Sequence, residues 1–544
     1  KEEEEEETVL PAVDDSKTDT LLPTYEELYI DINEYDIAKI RKKLGKLCAD
    51  DFIYSFEPIE LTAGFRCDLH CTACDSTKHL MDKCPQLAIP KVVPISRTHW
   101  PKYYSDEIDT MIIQTYEQQR IQASRQKAFD DALKTIEQAL ETRFEKGTFK
   151  IDIFGSIKNG FGSNQSDFDL CFRFTDAYAS DGDVRSSTKE IETIKLIARA
   201  LSNHRSPFSH VQPITGAKVP IVKFIYRNQL EGDISYYNEL ALFNTDLLST
   251  YCSWTKDNKL SQLGLFVKQW AKQCDIGDAS KGSLSSYAYI ILLIHFLQKI
   301  QVPVLPVLQE TGEKHELLIN GWDVYFDASK PQLDWSGNTD SVGELFLQFL
   351  DFYAKYDWGS KVVQIRQTRT LTKLEKGWTK KRICIEDPFD LDHNLGSGIS
   401  NRMFAFIAKS FVASREVFFR LKERQSYCDA KVLNKDERLP DDHVLPYAKQ
   451  LLRKCKVSGG APRDRLCFKC GKVGHFSDGC PAPQFNNRGP RSDGGYNVPN
   501  SPRSGGNNHG GGGSDRKMDR REVKKERLAL QRAARNEVKK QSSV

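Results

Sequence analysis

The sequence lacks any apolar stretch long enough to cross a membrane. Its longest, from Tyr287 to Leu297, is interrupted by His295 and falls short of the ~18 residues that a membrane-spanning helix requires. No secretory signal is recognisable either. We therefore expect no membrane partner, and we predict that the apolar run forms a buried core helix.

The chain also has little net charge, +3 at pH 7, but its charges are unevenly distributed. Residues 2–7 form an acidic run, and residues 516–540 are dense in Lys and Arg. The acidic start favours a solvated, disordered segment, and the basic end is a candidate nucleic-acid arm. The sequence does not begin with Met, which is consistent with a fragment of a longer protein.

Disulfide-type spacing of the cysteines is absent as well. Many of the 14 cysteines lie near histidines at metal-ligand spacing, which favours a reducing compartment inside the cell. One cluster follows C-x2-C-x4-H-x4-C, which supplies three thiolates and one imidazole for a tetrahedral zinc ion. Its ligands would be Cys467, Cys470, His475 and Cys480.

This cluster resembles a retroviral-type zinc knuckle. So short a loop has almost no core of its own, so zinc must supply its folding energy. Phe468 and Phe476 would project as platforms on which RNA bases stack.

A similar cluster lies nearer the start of the chain. Its zinc ligands would be Cys71, Cys74, His79 and Cys84. Cys67 and His70 are close enough to be alternative ligands. Thr72 and Leu80 occupy the two platform positions, so base stacking is not predicted. Whether this cluster contacts RNA or is a purely structural zinc clip stays open.

The most informative segment is FGSIKNGFGSNQSDFDLCFRF, which begins at residue 154. On a strand, residues i and i+2 project from the same face, so Asp167 and Asp169 lie side by side above an apolar opposite face. Adjacent carboxylates repel, and a divalent cation, usually Mg²⁺, relieves the repulsion while keeping positions free for substrate phosphates. Gly155 and Ser156 fit a tight turn that faces a triphosphate. The segment therefore predicts phosphoryl or nucleotidyl transfer.

A two-metal site needs a third carboxylate on a neighbouring strand. Asp233, which follows the apolar strand KVPIVKFIY, is the best candidate. Alternation places Asp233 and Ser235 on one face, and Ile234 and Tyr236 on the other. An ordinary turn position after a glycine is the alternative.

The periodicity of apolar residues divides the chain into an α/β lobe followed by a helical lobe. Helices are predicted over 103–144, 240–270, 283–300, 341–356 and 401–424, and strands over 150–154, 167–174, 219–226 and 233–236. The predicted domains are a disordered acidic start (1–22), a helical or linker segment (23–66), the first knuckle (67–86), the catalytic lobe (100–270), the helical lobe (271–425), a linker (426–464), the second knuckle (465–482) and a Gly/Ser/Asn-rich, basic disordered tail (483–544). We expect the helices at 103–144 to pack partly on the helical lobe.

Several motifs in order carry a family resemblance: GS followed by DFDL, then GDIS, CDIGDASKGSLSSYAY, PVLPVLQE and IEDPFDLDHN. Over residues 103–424 the chain resembles the non-canonical nucleotidyltransferases of the DNA polymerase β superfamily, and most closely the zinc-knuckle terminal uridylyltransferases. The resemblance implies a polymerase β-like α/β catalytic lobe with a helical PAP-associated lobe, flanked by small zinc knuckles and disordered tails.

The resemblance also implies roles for individual residues. Asp167, Asp169 and Asp233 would be the catalytic metal ligands. UTP would be bound by Gly155, Ser156, Asn238, Asn244, Lys268, Lys272, Ser286, Tyr287, Asp387 and His393. The two lysines, at i and i+4 on one helix, would clamp the β- and γ-phosphates, and the tyrosine would stack on the base. Taken alone, the two asparagines also fit helix capping, the two lysines fit a solvated basic face, and Tyr287 fits a position in the core.

His393 is the residue that would distinguish UTP from ATP. An imidazole N–H can donate to uracil O4, whereas adenine presents an amino donor there and a larger ring that the side chain would obstruct. A structural histidine is the alternative.

The expected reaction adds uridylate from UTP to an RNA 3′ end, with Mg²⁺ (or Mn²⁺) in the active site and Zn²⁺ in the knuckles. The resemblance implies a cytoplasmic monomer that acts on small-RNA precursors and short-tailed messenger RNAs, and whether an adaptor protein delivers the RNA stays open. The rival functions are a poly(A) polymerase that uses ATP and a catalytically dead repeat that only binds RNA. His393 argues against the first, and the three aspartates argue against the second.

Overall fold

The computed structural model describes residues 70–464, apart from 75, 96–100, 102, 176–185, 205, 218, 314 and 330–334. Cys67, the second zinc knuckle and both ends of the sequence lie outside the described residues. No helix in the described part is long and apolar enough to cross a membrane.

A mixed five-stranded sheet forms the catalytic lobe. Among the described residues, the first α-helices and strands are α1 (Tyr103–Gln119), α2 (Ala123–Leu140), β1 (Phe149–Phe154), β2 (Phe168–Phe174), α3 (Ser187–Asn203), β3 (Phe208–Ile214), β4 (Ile221–Tyr226) and β5 (Leu230–Tyr236). The strand order is β1-β2-β5-β4-β3. β2 and β5 run parallel, and the other pairs in the sheet are antiparallel.

The alternation of β2 fixes which face of the sheet is buried. Phe168, Leu170 and Phe172 are fully buried in a core that they share with α2 and α3. Their neighbours, including Asp169, therefore project from the opposite face. Burying the phenylalanines fixes the register, because a slip of one residue would turn the carboxylates into the core.

The remaining helices form the second lobe. They are α4 (Glu239–Ser253), α5 (Lys259–Gln273), α6 (Ser286–Lys299), α7 (Val342–Ala354), α8 (Lys373–Lys376), α9 (Asn401–Phe419), α10 (Lys422–Lys431) and α11 (Asp441–Lys454). α6 contains the long apolar run and is buried over most of its length, as its composition predicts. Burial lowers the pKa of His295 to about 4, so this histidine is neutral and structural.

Helix α1 packs in the helical lobe although it precedes the sheet in the sequence. Tyr104 and Ile108 lie in the same apolar core as α5, α6, α7 and α9. Glu107 is fully buried and accepts two hydrogen bonds from Arg424 of α10, both at 2.8 Å. α2, by contrast, packs against the sheet, so the two helices predicted at 103–144 belong to different cores.

Residues 426–464 differ from the linker that the sequence predicts. They contain α11, whose Val444, Tyr447 and Leu451 are fully buried in the core of the helical lobe. The helix begins after Pro440 and carries a second proline, Pro446, in its first turns. Its many polar residues and two prolines explain why an apolar pattern is hard to recognise.

Two further elements differ from the predicted pattern. The sequence does not predict β3, because Pro213, a positive φ of 52° at His210 and a bulge disturb its alternation. The helix predicted at 401–424 is two helices, since α9 ends at Phe419 and Arg420 is extended.

Candidate active site and zinc site

The carboxylates predicted to bind metal lie together on two parallel strands. Asp169 of β2 is directly opposite Asp233 of β5, and neighbouring strands are about 4.8 Å apart. Asp167 lies just before the first residue of β2. The start of β2 and its pairing with β5 thus bring the three aspartates together on two interior strands of the sheet.

The electrostatics of this cluster favour a bound cation. Burial, followed by the charges of Asp233 and Asp167, raises the pKa of Asp169 to about 6. Burial also raises the pKa of Asp233, against the effect of Lys223, whose Nζ lies 3.1 Å from Asp233 Oδ2. A set of three mutually repelling carboxylates suits a hard divalent ion such as Mg²⁺ or Mn²⁺. The residues therefore fit the divalent-metal site that the fold implies.

The turn after β1 is built to approach these carboxylates closely. Gly155 has a φ of +75°, and a Cβ there would lie 2.5 Å from Oδ2 of Asp169, so only glycine fits. Its N–H donates to Oγ1 of Thr245 at 2.9 Å. Ser156 Oγ donates to Ser166 Oγ at 2.9 Å. The turn is therefore held by α4 on one side and by the loop before β2 on the other.

A cavity of about 920 Å³ opens in front of the turn, and a volume of this order accommodates a nucleotide. Its walls include nine of the predicted metal and nucleotide ligands: Gly155, Ser156, Asp167, Asp169, Asn244, Lys268, Lys272, Ser286 and Tyr287. The other four do not line it: Asp233, Asn238, Asp387 and His393.

Two lysines on α5 supply positive charge to this cavity. Lys268 Nζ donates to the carbonyl oxygen of Phe161 at 2.8 Å, and burial lowers its pKa to about 8. Lys272 Nζ lies 3.4 Å from Oε1 of Gln165. Within the described residues, neither lysine has a recorded carboxylate partner, so both can bind phosphate oxygens.

Tyr287 connects the cavity to the segment that contains Asp387. Its hydroxyl lies 3.0 Å from Asn244 Oδ1 and 3.2 Å from Asp387 Oδ2. Asp387 also accepts hydrogen bonds from the N–H groups of Phe389 and Asp390, at 3.0 and 3.1 Å. Burial raises the pKa of Tyr287 well above its usual value, and the charge of Asp387 acts in the same direction. These side chains form one hydrogen-bonded network.

Asn238 and His393 are predicted nucleotide ligands that do not line the cavity. Asn238 directly precedes α4, but its side chain makes no capping hydrogen bond. The structure therefore does not support helix capping as the alternative role of Asn238. His393 is exposed. Its backbone N–H donates to Asp390 O at 2.8 Å, and its carbonyl oxygen accepts from Asp387 N–H at 3.1 Å. This turn keeps His393 near the buried carboxylate of Asp387.

Three polar residues of the site are not predicted from the sequence: Ser166, Lys223 and Thr245. Ser166 and Thr245 hold the turn after β1, and Lys223 pairs with Asp233. A lysine in an otherwise apolar strand ordinarily marks a solvent-facing position. No local signal indicates that β4 places it beside a carboxylate.

The first zinc cluster is assembled as predicted. Ligand atoms of Cys71, Cys74, His79 and Cys84 all lie within 4.8 Å of one another. Three thiolates and an imidazole are a donor set of structural zinc sites. The alternative ligand His70 is not part of this group.

The chain that follows this cluster lies along α9. Lys409 Nζ donates to Gln86 O, and Arg415 Nη1 donates to Val93 O, both at 2.8 Å. Asn401 Nδ2 also lies 3.3 Å from the sulfur of Met81. These contacts favour the structural clip, and a contact with RNA stays open.

Replacing Cys84 with Ser should remove one zinc ion per chain, because a closed four-ligand site tolerates no weaker ligand. Metal analysis of the purified full chain measures this. Lys78→Ala, an exposed change in the same loop, is the matched control and should keep the zinc content of the wild type. Unchanged zinc in Cys84→Ser would contradict the ligand assignment.

Replacing Asp169 with Asn should stabilise the metal-free protein at pH 7.5 by about 1–2 kcal/mol while removing activity. A raised pKa means that ionising Asp169 costs the folded state stability. The stability that Asp169→Asn gains over the wild type should therefore be complete above pH 6 and vanish as the pH falls towards 4. The free energy of unfolding is measured by thermal unfolding in Mg²⁺-free buffer. No chelator is added, because a chelator would also strip the zinc. Glu231→Gln, an exposed position on β5, should show no such pH dependence.

Comparisons with known proteins agree with this geometry. Residues 108–253 match the central palm domain of the mitochondrial-like poly(A) RNA polymerases. Residues 341–393 match the PAP-associated domain of the Cid1 family poly A polymerases. Human terminal uridylyltransferase 7 is 38% identical over 471 residues, which are 84% of this chain and 30% of that protein. The zebrafish (Danio rerio) poly(A) RNA polymerase GLD2 is 34% identical over 288 residues, 51% of this chain and 56% of that protein. The chain thus spans less than a third of the length of the uridylyltransferase.

Solved structures show a similar fold over 58–64% of this chain. The Cid1 poly(U) polymerase with bound Mg 3′-dATP superposes with a TM-score of 0.51 and 31% identity, over 58% of this chain and 95% of that one. Cid1 with the UTP analogue UMPNPP superposes with a TM-score of 0.51 and 28% identity, over 64% and 99%. The chain belongs to the Cid1-like family of RNA terminal nucleotidyltransferases, which includes the terminal uridylyltransferases and has a polymerase β-like catalytic lobe with a helical PAP-associated lobe.

Proposed function

We propose that this chain adds uridylate from UTP to the 3′ end of RNA. The observation that carries the proposal is the direct opposition of Asp169 and Asp233, with Asp169 in the wall of a cavity that is also lined by Lys268, Lys272 and Tyr287. Three aspartates in metal-binding positions argue against a dead repeat. The similarity to terminal uridylyltransferase 7 and to the Cid1 poly(U) polymerase supports the choice of UTP.

The proposal assigns residues to each part of the reaction. The metals, when bound by Asp167, Asp169 and Asp233, would activate the 3′-hydroxyl and neutralise the leaving pyrophosphate. Asp233 would accept the proton of the 3′-hydroxyl. Lys268 and Lys272 would bind the β- and γ-phosphates, of which the leaving pyrophosphate consists.

The base is selected at the other end of the cavity. Tyr287 would stack on the uracil, and Asn244 and Asn238 would contact the ribose and base. His393 would donate to uracil O4 from its turn beside Asp387. One Cid1 structure in a series on UTP selectivity is a His-to-Asn mutant bound to MgATP, which supports a base-reading histidine in this family.

A poly(A) polymerase is the second candidate, since the poly(A) RNA polymerases GLD2 of Danio rerio and Mus musculus are 34% and 29% identical to this chain over 288 and 324 residues. Incubating the purified chain with a labelled RNA and each nucleoside triphosphate in turn separates the two. We expect UTP to be used in preference to ATP, and the reverse preference would refute the uridylyl assignment.

The substrates and location are part of the same proposal. We expect small-RNA precursors and short-tailed messenger RNAs in the cytoplasm, with Phe468 and Phe476 of the second knuckle stacking on RNA bases. Fractionation of cells that express the tagged protein tests the location, and sequencing of RNA 3′ ends after its depletion tests the substrates.

A further inference from the structure

A second cavity adjoins the active site at its phosphate end. It has a volume of about 1210 Å³ and shares Lys272 and Gly277 with the catalytic cavity. Its other walls come from Gln86, from the segment after α5 that carries Asp275 and Asp278, from α9 and from residues 456–463, which follow α11. We call it the basic groove, because its lining contains six cationic side chains: Lys272, Lys281, Arg402, Lys409, Lys456 and Arg463.

Only part of this positive charge is neutralised. Lys281 pairs with Asp278, and Lys456 pairs with Asp275. Within the described part of the chain, the other four cations form no ion pair with a carboxylate. Lys409 and Lys272 bond to neutral oxygens. Converging unneutralised cations in a concave site attract anions.

The position of the groove indicates which anion would bind in it. In an in-line displacement, the attacking and leaving oxygens lie on opposite sides of the phosphorus. Asp233, on the attacking side, lies towards β4. Lys268 and Lys272, which the proposed function assigns to the β- and γ-phosphates, lie against the loop before β2. The groove begins at Lys272, so it continues from the side where the pyrophosphate leaves.

The lining argues against an RNA strand as the occupant. Phe406 is the only aromatic residue in the described lining, and it is 6% exposed. Single-stranded RNA sites ordinarily provide aromatic platforms for bases. Here the binding groups are cationic, as a polyphosphate requires.

We propose that the basic groove is a second polyphosphate site, which receives the leaving pyrophosphate or guides the triphosphate of incoming UTP. This inference rests on the proposed function. Arg402 and Arg463 are its main ligands beyond Lys272. Arg fits phosphate oxygens with two parallel hydrogen bonds, so two such residues suit a diphosphate.

The test uses the full chain with Arg402→Ala and Arg463→Ala, alone and together. The control is Arg199→Ala with Arg453→Ala, two exposed arginines that line neither the catalytic cavity nor the basic groove and that change the net charge equally. Calorimetry with pyrophosphate measures binding without any need for activity. Inhibition of tailing by pyrophosphate and the KM for UTP then distinguish the leaving product from the incoming substrate.

We expect the double variant to bind pyrophosphate about tenfold more weakly than the wild type, with the control unchanged. A raised inhibition constant for pyrophosphate would identify an exit route, and a raised KM for UTP would identify an entry route. Unchanged pyrophosphate affinity would overturn the proposal, and a loss confined to RNA affinity would overturn it in favour of an RNA track. Because the calorimetric result needs no turnover, it stands even if the chain proves inactive with UTP.

Discussion

Replacing Asp233 with Ala should reduce nucleotide addition by at least about 1,000-fold, because it removes both a metal ligand and the proton acceptor. Asp167→Ala should have a comparable effect through the metal alone. Initial rates on a labelled RNA primer at saturating UTP and Mg²⁺ measure the loss. The fold and the affinity for RNA should remain close to wild type, since neither side chain is part of an apolar core.

The matched control is Glu231→Ala. Glu231 precedes Asp233 by two positions on β5, so it projects from the same face of the sheet, and it is exposed. Its removal should leave the rate unchanged. Full tailing activity in either aspartate variant would refute the metal-site assignment.

Replacing His393 with Asn or Ala should shift nucleotide preference from UTP towards ATP. The change removes the donor to uracil O4 and the bulk that faces a purine. One such hydrogen bond is worth on the order of 1–3 kcal/mol, or roughly tenfold to a hundredfold in the ratio of kcat/KM values. The ratio is measured for both nucleotides on the same RNA primer.

Asp392→Asn is the control for this shift, because Asp392 is the exposed neighbour of His393 in the same turn. Its ratio should equal that of the wild type. A ratio in His393→Ala that does not move, or a wild-type preference for ATP, would show that another residue selects the base.

The local parts of the site could be predicted from the sequence. Asp167 and Asp169 followed from the two-residue period of a strand, and the four zinc ligands from their spacing. The opposition of Asp169 and Asp233 could not be predicted in this way, because strand pairing between distant segments depends on the whole sheet. Asp233 was the best candidate from its place after an apolar strand and from alternation, the family resemblance agreed with it, and the register of β2 with β5 shows why it fits.

What the sequence did not predict depends on tertiary context. The pairing of Lys223 with Asp233 requires β4 to lie beside β5, and the burial of α11 requires α1 and α9 to be in place. The basic groove combines residues of α5, α9 and the segment after α11. The cations of α9 and of the segment after α11 belong to no motif, since scattered Lys and Arg are typical of any solvated surface.

The place of α1 in the helical core has a consequence for how the chain folds during synthesis. The catalytic sheet is complete once β5 has been made, so its contacts are comparatively local. α1 must wait much longer, because Tyr104 bonds to the carbonyl oxygen of Phe418 and Glu107 to Arg424, across 314 and 317 residues. Contacts of such long range form late. Helix α1 can pack on α5 and α7 once these have been made, but its bonds to Phe418 and Arg424 form only after α9 and α10 have emerged from the ribosome. Part of its native contact surface therefore stays uncovered in the nascent chain, where a chaperone would protect it.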